Sequence, residues 1–233
     1  MIDRCVAIDA GSLAISATEE ERDLVRDIII THPHIDHIAS LPLFIDELFS
    51  RLEQPIRVHA TTEVIALLER DIFNWTIYPR FSELRNDSCA VMEYVPFRVG
   101  EEFTVAHLRV TAVPVNHLVP TVGLLISDGK RTLAFGSDTA ETDHFWSLIN
   151  GAPVVDALFM EASFPNELQG LAQTSRHLTP TTLSQELQKL RHQETDVFAV
   201  HIKPAYRSIV VQQLAELKIA RLHVMDPGKE YDL

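Results

Sequence analysis

The sequence predicts one α/β domain over residues 1–233, and three observations carry that prediction. Short β-branched runs alternate with helical patterns along the whole chain. Predicted strands repeatedly end in a His, Asp or Glu. No internal repeat, low-complexity tract or linker interrupts the pattern. With 46% hydrophobic and 23% charged residues, the composition suits one sizeable buried core rather than a disordered or fibrous chain.

VAI (6–8) and DIII (27–30) read as strands. TEEERDLVRD (18–27) lies between them and opens with Thr18 and Glu21 at capping-box spacing, so it reads as a short helix. After IIITHPHIDHIAS (28–40), apolar Ile38, Leu41, Ile45, Leu48, Phe49 and Leu52 recur at helical spacing. The histidine-rich stretch therefore occupies a strand-to-helix turn, a common place for catalytic loops. IRVHA (56–60) suggests a strand and TEVIALLERDIF (62–73) a helix. FTVAHLRVTAVPVNH (103–117) reads as two strands or one bent strand, and GLLISDGKRTLAFGSD (123–138) as a hairpin turning at Asp128-Gly129. A helix (142–149), ALFME (157–161), a helix (179–190), VFAVH (197–201), a helix (208–217) and RLHV (221–224) complete the pattern.

Composition excludes several classes. No apolar stretch approaches the roughly 20 residues that span a bilayer. MIDRCVAIDAG has no signal-peptide pattern, so an intracellular, cytoplasmic protein without membrane association is expected. Cys5 and Cys89 have no partner spacing and read as reduced, packed thiols. A net charge of −13 makes extended nucleic acid a poor partner, while a small anionic substrate in a locally cationic cleft is compatible.

The strand ends carry chemistry. Asp9 follows VAI, and His32, His34, Asp36 and His37 follow III. His117 follows VTAVPVN, Asp138 follows LAFGS, Glu161 follows ALFM and His201 follows VFAV. Three imidazoles and a carboxylate within six positions are costly to bury unpartnered, and a metal holds them. Histidine and aspartate without cysteine suit zinc, with manganese or iron also fitting. His32, His34 and His117 make one near-tetrahedral set that leaves a position for water. Asp36, His37 and His201 make a second set, and Asp138 can bridge two divalent ions. Such a pair lowers the pKa of a shared water to a hydroxide nucleophile.

THPHIDH, NH, GSDT and a late histidine resemble the metallo-β-lactamase fold, an αβ/βα four-layer sandwich with a binuclear hydrolytic site. The resemblance implies metal binding by His32, His34, Asp36, His37, His117, Asp138 and His201. It also implies that Asp9, in IDAG, supports the metal loop from behind. Within this superfamily, NHLVPTVG (116–123), FMEASFPNE (159–167), RHLTP (176–180), VHIKP (200–204) and FNWTIYPRFSEL (73–84) look like class II cyclic-nucleotide phosphodiesterases. Hydrolysis of a 3′,5′-cyclic nucleotide, cAMP or cGMP, to the 5′-monophosphate is the implied reaction. Glu161 and His177 resemble the acidic and histidine pair placed beside the aspartate of H-x-H-x-D-H, here Asp36. His177, held by Glu161, would then relay a proton to the leaving oxygen. Asn116 could contact substrate or orient His117, and Lys203 could meet a phosphate. Trp75 and Tyr78 could stack on a base, but such a pair is more often core.

Three departures from that pattern stand out. Ser40 replaces a usual glycine after the histidines, and GSDT replaces the order of glycine directly before aspartate. IDAG normally follows a β-hairpin that eight residues cannot supply, so the sheet is expected to lack it. An uncovered edge favours association, and the resemblance implies a homodimer. Three rival readings stay open: a tRNase Z-like endoribonuclease, a hydrolase of a thioester, lactone or β-lactam, and an inactive metal-binding module.

Overall fold

The computed structural model describes residues 1–233, which form two compact units, Met1–Arg98 and Val99–Leu233. In the first unit, β1 (Val6–Ile8) leads through α1 (Leu13–Ser16) and α2 (Glu19–Leu24) to β2 (Asp27–Ile29). There follow α3 (Ile35–Ile38), α4 (Leu41–Leu48), β3 (Ile56–Ala60), α5 (Thr62–Asp71) and β4 (Met92–Pro96). The four strands form a parallel sheet in the order β1-β2-β3-β4. The expected capping box opens α2: the Thr18 N–H donates to Glu21 Oε2 at 2.7 Å and the Glu21 N–H to the Thr18 hydroxyl at 3.2 Å.

Sequence periodicity placed the core of this unit correctly. Ile38, Leu41, Ile45, Leu48 and Leu52 are all buried, packed with Ile28, Ile30, Phe44 and Val58. Each such side chain contributes about 1.5–3 kcal/mol by leaving water. The helical stretch is broken between Ile38 and Leu41, so His37 sits on the short α3, with His34 at its N-cap and His32 in the loop before it. β4 and α1 have no counterpart in the sequence reading. The β4 strand MEYVP lacks clean alternation and ends in a proline, which hides it.

In the second unit, β5 (Glu102–Val105), β6 (Leu108–Pro114), β7 (Val122–Ser127) and β8 (Thr132–Phe135) run antiparallel. The 103–117 region is therefore two strands. α6 (His144–Gly151) leads to β9 (Ala157–Glu161), which joins β8 in parallel. Then come α7 (Gln169–Ser175), α8 (Pro180–Leu187), β10 (Asp196–Val200), α9 (Arg207–Glu216) and β11 (Leu222–Val224). The resulting sheet has seven strands in the order β11-β10-β9-β8-β7-β6-β5. The β7–β8 tip is a four-residue loop: the Asp128 carboxylate accepts the Lys130 and Arg131 N–H groups at 2.7 Å, and Gly129 supplies φ +90°. α7, which carries a glycine and four polar side chains in seven residues, was not foreseen.

Pairing directions decide where the chemistry goes. In the first sheet, parallel strands bring the residues after β1 and β2 to one edge. In the second, β6, β8, β9 and β10 all point the same way, because two antiparallel steps separate β6 from β8. His117, Asp138, Glu161 and His201 thus emerge along one edge of that sheet. No helix is long and apolar enough to cross a membrane.

Candidate metal centre

One carboxylate organises the donors of the first unit. Asp9 follows β1 with φ +59°, a left-handed conformation that aspartate tolerates better than most residues. Its carboxylate accepts the Thr31 N–H at 2.8 Å and the Thr31 hydroxyl at 2.8 Å, and lies 2.7 Å from His37 Nδ1. A carboxylate can only accept, so His37 carries its proton on Nδ1. The Thr31 hydroxyl gives its single proton to Asp9 and must accept from His32 Nδ1–H, 3.0 Å away. Both rings are buried, and both present Nε2 as a lone pair. Asp9 thereby sets two histidine tautomers, one directly and one through Thr31, which is how outer carboxylates orient metal ligands.

The neighbouring backbone is held as tightly. His34 caps α3, and its ring stands edge-on to His32 at 4.9 Å, while His37 is 4.0 Å from His32. Asp36, in the first turn of α3, is exposed. A Cβ on Gly11 would lie 1.7 Å from the Asp36 carbonyl oxygen, so only glycine fits behind the histidine loop. Ser40, one of the departures, has a use here: its hydroxyl donates to the Ala10 carbonyl at 2.8 Å and accepts the Ala14 N–H at 3.0 Å.

The second unit has its own hub. Glu161 is fully buried yet accepts the Thr139 N–H at 2.8 Å, the Leu178 N–H at 3.1 Å, the Ser163 hydroxyl at 2.6 Å and His177 Nδ1–H at 2.8 Å. These four donors are shared between its two oxygens, so neither is buried without a partner. Burial pushes the His177 pKa down, but the hydrogen bond and charge of Glu161, with Asp138 beyond, outweigh it and raise it. Asp138 Oδ2 lies 3.2 Å from His201 Nε2 and 4.0 Å from His177 Nδ1. His117 Nδ1 is 3.0 Å from the Arg176 carbonyl, so it too is protonated on Nδ1 and carries its lone pair on Nε2. Lys203 Nζ lies 3.2 Å from His201 Nε2. Both polar ends of the Asn116 side chain are engaged, by the Glu141 carbonyl at 2.8 Å and by Arg176 at 2.6 Å. That favours an orienting role over substrate contact.

Backbone strain marks the same places. Of ten non-glycine residues with positive φ, four stand at these loops: Asp9, Ser137 before Asp138, Arg176 before His177, and His201. Such concentration is characteristic of functional sites. Ser137, at φ +56°, explains physically why glycine is the usual residue there.

The donor atoms of Asp9, His32 and His37 lie within 4.8 Å of one another, as do those of Asp138, His177 and His201. Neither cysteine belongs to a donor group. Nδ1-protonated imidazoles and carboxylates without thiolate fit a divalent ion of the zinc type.

The profile of the beta-lactamase superfamily domain matches residues 8–202, spanning both units. The chain belongs to the beta-lactamase superfamily. Members resembling it include the "Probable 3′,5′-cyclic-nucleotide phosphodiesterase" of Yersinia pestis, 23% identical over 209 residues and 80% of this chain. The 3′,5′-cyclic-nucleotide phosphodiesterase of Aliivibrio fischeri is 26% identical over 227 residues and 84% of this chain. The chain spans only 59% and 66% of those two proteins. Ribonuclease BN of Erwinia tasmaniensis is 26% identical over 142 residues, 56% of this chain and 42% of its own. Among solved structures, unliganded yeast PDE1 aligns with a TM-score of 0.78 at 19% identity, over 91% of this chain and 71% of its own. The Bacillus subtilis metallo-β-lactamase fold protein YhfI aligns with a TM-score of 0.75 at 14% identity, over 98% of this chain and 88% of its own. These structures establish the metallo-β-lactamase fold expected from the sequence. Membership of the superfamily fixes the fold; activity and substrate are separate matters.

Proposed function

We propose that this superfamily member is a phosphodiesterase that hydrolyses 3′,5′-cyclic nucleotides, cAMP or cGMP, to 5′-monophosphates. The observation that carries the reading is the 2.8 Å bond between His177 and fully buried Glu161, beside Asp138. A departing 3′-alkoxide is a poor leaving group unless protonated, and this pair can deliver that proton. His32, His34, Asp36, His37, His117, Asp138 and His201 serve as ligands of two divalent ions, zinc by donor type. When bound, the ions supply Lewis-acid activation of the phosphoryl group and an activated water.

The protein's own residues do the rest. Asp9 and Thr31 keep His32 and His37 in the ligating tautomer. Glu161 keeps Nδ1 of His177 occupied, so Nε2 is the atom that exchanges a proton with the substrate. Lys203, beside His201, brings a positive charge toward a phosphate. The proteins named as cyclic-nucleotide phosphodiesterases that resemble most of this chain support the substrate class. The protein works in the cytoplasm as a homodimer.

The test is turnover of cyclic AMP by zinc- or manganese-loaded protein, with the product identified chromatographically. Formation of 5′-AMP, abolished by His34→Ala and strongly reduced by His177→Ala with metal content intact, is the expected result. Full activity of His177→Ala sinks the proton-relay role. A second reading, a tRNase Z-like endoribonuclease, is favoured by the likeness to Ribonuclease BN. Cleavage of a pre-tRNA in place of cyclic nucleotide would establish it.

A further inference from the structure

Arg176 is an anomaly at the end of α7. It sits at the C-cap with φ 55° and ψ 55°, the left-handed conformation that glycine adopts there at least cost. The cap itself needs only main chain: the Arg176 N–H donates to the Gln173 carbonyl at 3.3 Å and the His177 N–H to the Ala172 carbonyl at 2.8 Å. Nothing in the capping explains an arginine. Two other contacts do. The left-handed turn aims the Arg176 carbonyl at His117 Nδ1, 3.0 Å away, and the guanidinium donates to Asn116 Oδ1 at 2.6 Å.

We infer that Arg176 is a positioning residue that grips two consecutive residues of the 115–121 loop and so fixes His117 as a metal ligand. Its carbonyl selects the tautomer in which Nε2 carries the lone pair that would bind metal. Its guanidinium pins Asn116, whose amide is anchored at its other end on the Glu141 carbonyl, 2.8 Å away. Because His177 is the next residue, the same tether sets the spacing between a metal ligand and the proton donor, whose rings lie 5.1 Å apart. The inference rests on the reading of His117 as a ligand, and it does not depend on the substrate.

Three variants of the full chain test it: Arg176→Gly, Arg176→Val and Asn116→Ala. Glycine keeps the left-handed turn and its carbonyl but removes the guanidinium. Valine disfavours the turn as well. Asn116→Ala releases the grip without touching α7. Zinc affinity is read by chelator competition, and the His117 tautomer by imidazole nitrogen chemical shifts. The expected result is weaker zinc binding in all three, by about tenfold or more in the valine variant, as for other outer partners of ligating histidines. Arg176→Gly should melt no lower than wild type, since it relieves the cap, yet hold zinc less well. A merely structural arginine would show the opposite pattern. Wild-type zinc affinity and an unchanged Nδ1–H tautomer in both Arg176 variants would overturn the inference. If zinc binding follows the expected order while the wild type hydrolyses no cyclic nucleotide, the tether stands and the phosphodiesterase reading alone falls.

Discussion

Replacing Asp27 by asparagine should destabilise the protein in a pH-dependent way whose size follows from the structure. Asp27 opens β2, its side chain 3% exposed, and faces Arg57 and His59 on β3. His59 Nε2 lies 2.7 Å from Oδ1, Arg57 Nε donates to the same oxygen at 2.7 Å, and Arg57 Nη2 pairs with Oδ2. Burial alone raises the carboxyl pKa, but the bonds from His59 and Arg57 outweigh it and hold it at about 2, against an ordinary 3.8. That gap corresponds to about 2 kcal/mol of stability. A depressed carboxyl contributes fully above its unfolded value and loses the contribution as pH falls through the folded one. In that window the unfolded chain takes up the proton first. Asp27→Asn should cost about 3 kcal/mol near pH 6, because it leaves Arg57 and buried His59 without their anion. Urea denaturation of both proteins gives the difference, in which titrating groups that do not touch Asp27 cancel. It should shrink by about 1 kcal/mol at pH 3 and about 2 kcal/mol at pH 2. A difference that is the same at pH 6 and pH 2 would refute the assignment of the low pKa to Asp27.

Three further outcomes are expected. Thr31→Val removes the hydroxyl between Asp9 and His32, so zinc affinity in chelator competition should fall by about tenfold, while retained affinity would break the relay. Gly11→Ala forces a methyl group onto the Asp36 carbonyl; thermal melting should show a loss of about 3 kcal/mol, together with lower metal content. Glu161→Gln turns an acceptor of four hydrogen bonds into a group that must also donate. It should cost about 2 kcal/mol in denaturant titrations and lower the His177 pKa followed by NMR, with an unmoved His177 counting against the pairing.

The order of elements was largely legible. Local signals are strong where one segment settles its own structure: the Thr18–Glu21 capping box, the Asp128-Gly129 tip and the apolar face of α4 are all where periodicity and turn chemistry put them. β4 escaped because a parallel strand is stabilised by its neighbour β3, and its own pattern is weak. Trp75, expected as core, is 56% exposed in a loop pinned by Asn74 Oδ1, while Tyr78 packs on Phe81 as expected. Side-chain amide bonds to the backbone outweighed burial there. His59 looked like an ordinary strand histidine; its tie to Asp27 is a cross-strand contact between residues 32 positions apart.

For the candidate centre, the sequence by itself determined which donors are candidates. Histidines and carboxylates at strand ends are a composition-and-position signal, written in the local order of residues. Only the tertiary structure decided their chemistry. Asp9 and His37 are 28 residues apart, and Arg176 and His117 are 59 apart. Which ring nitrogen keeps its proton depends on groups that folding brings within 3 Å, and hydrogen bonds of that length leave no trace in a linear pattern.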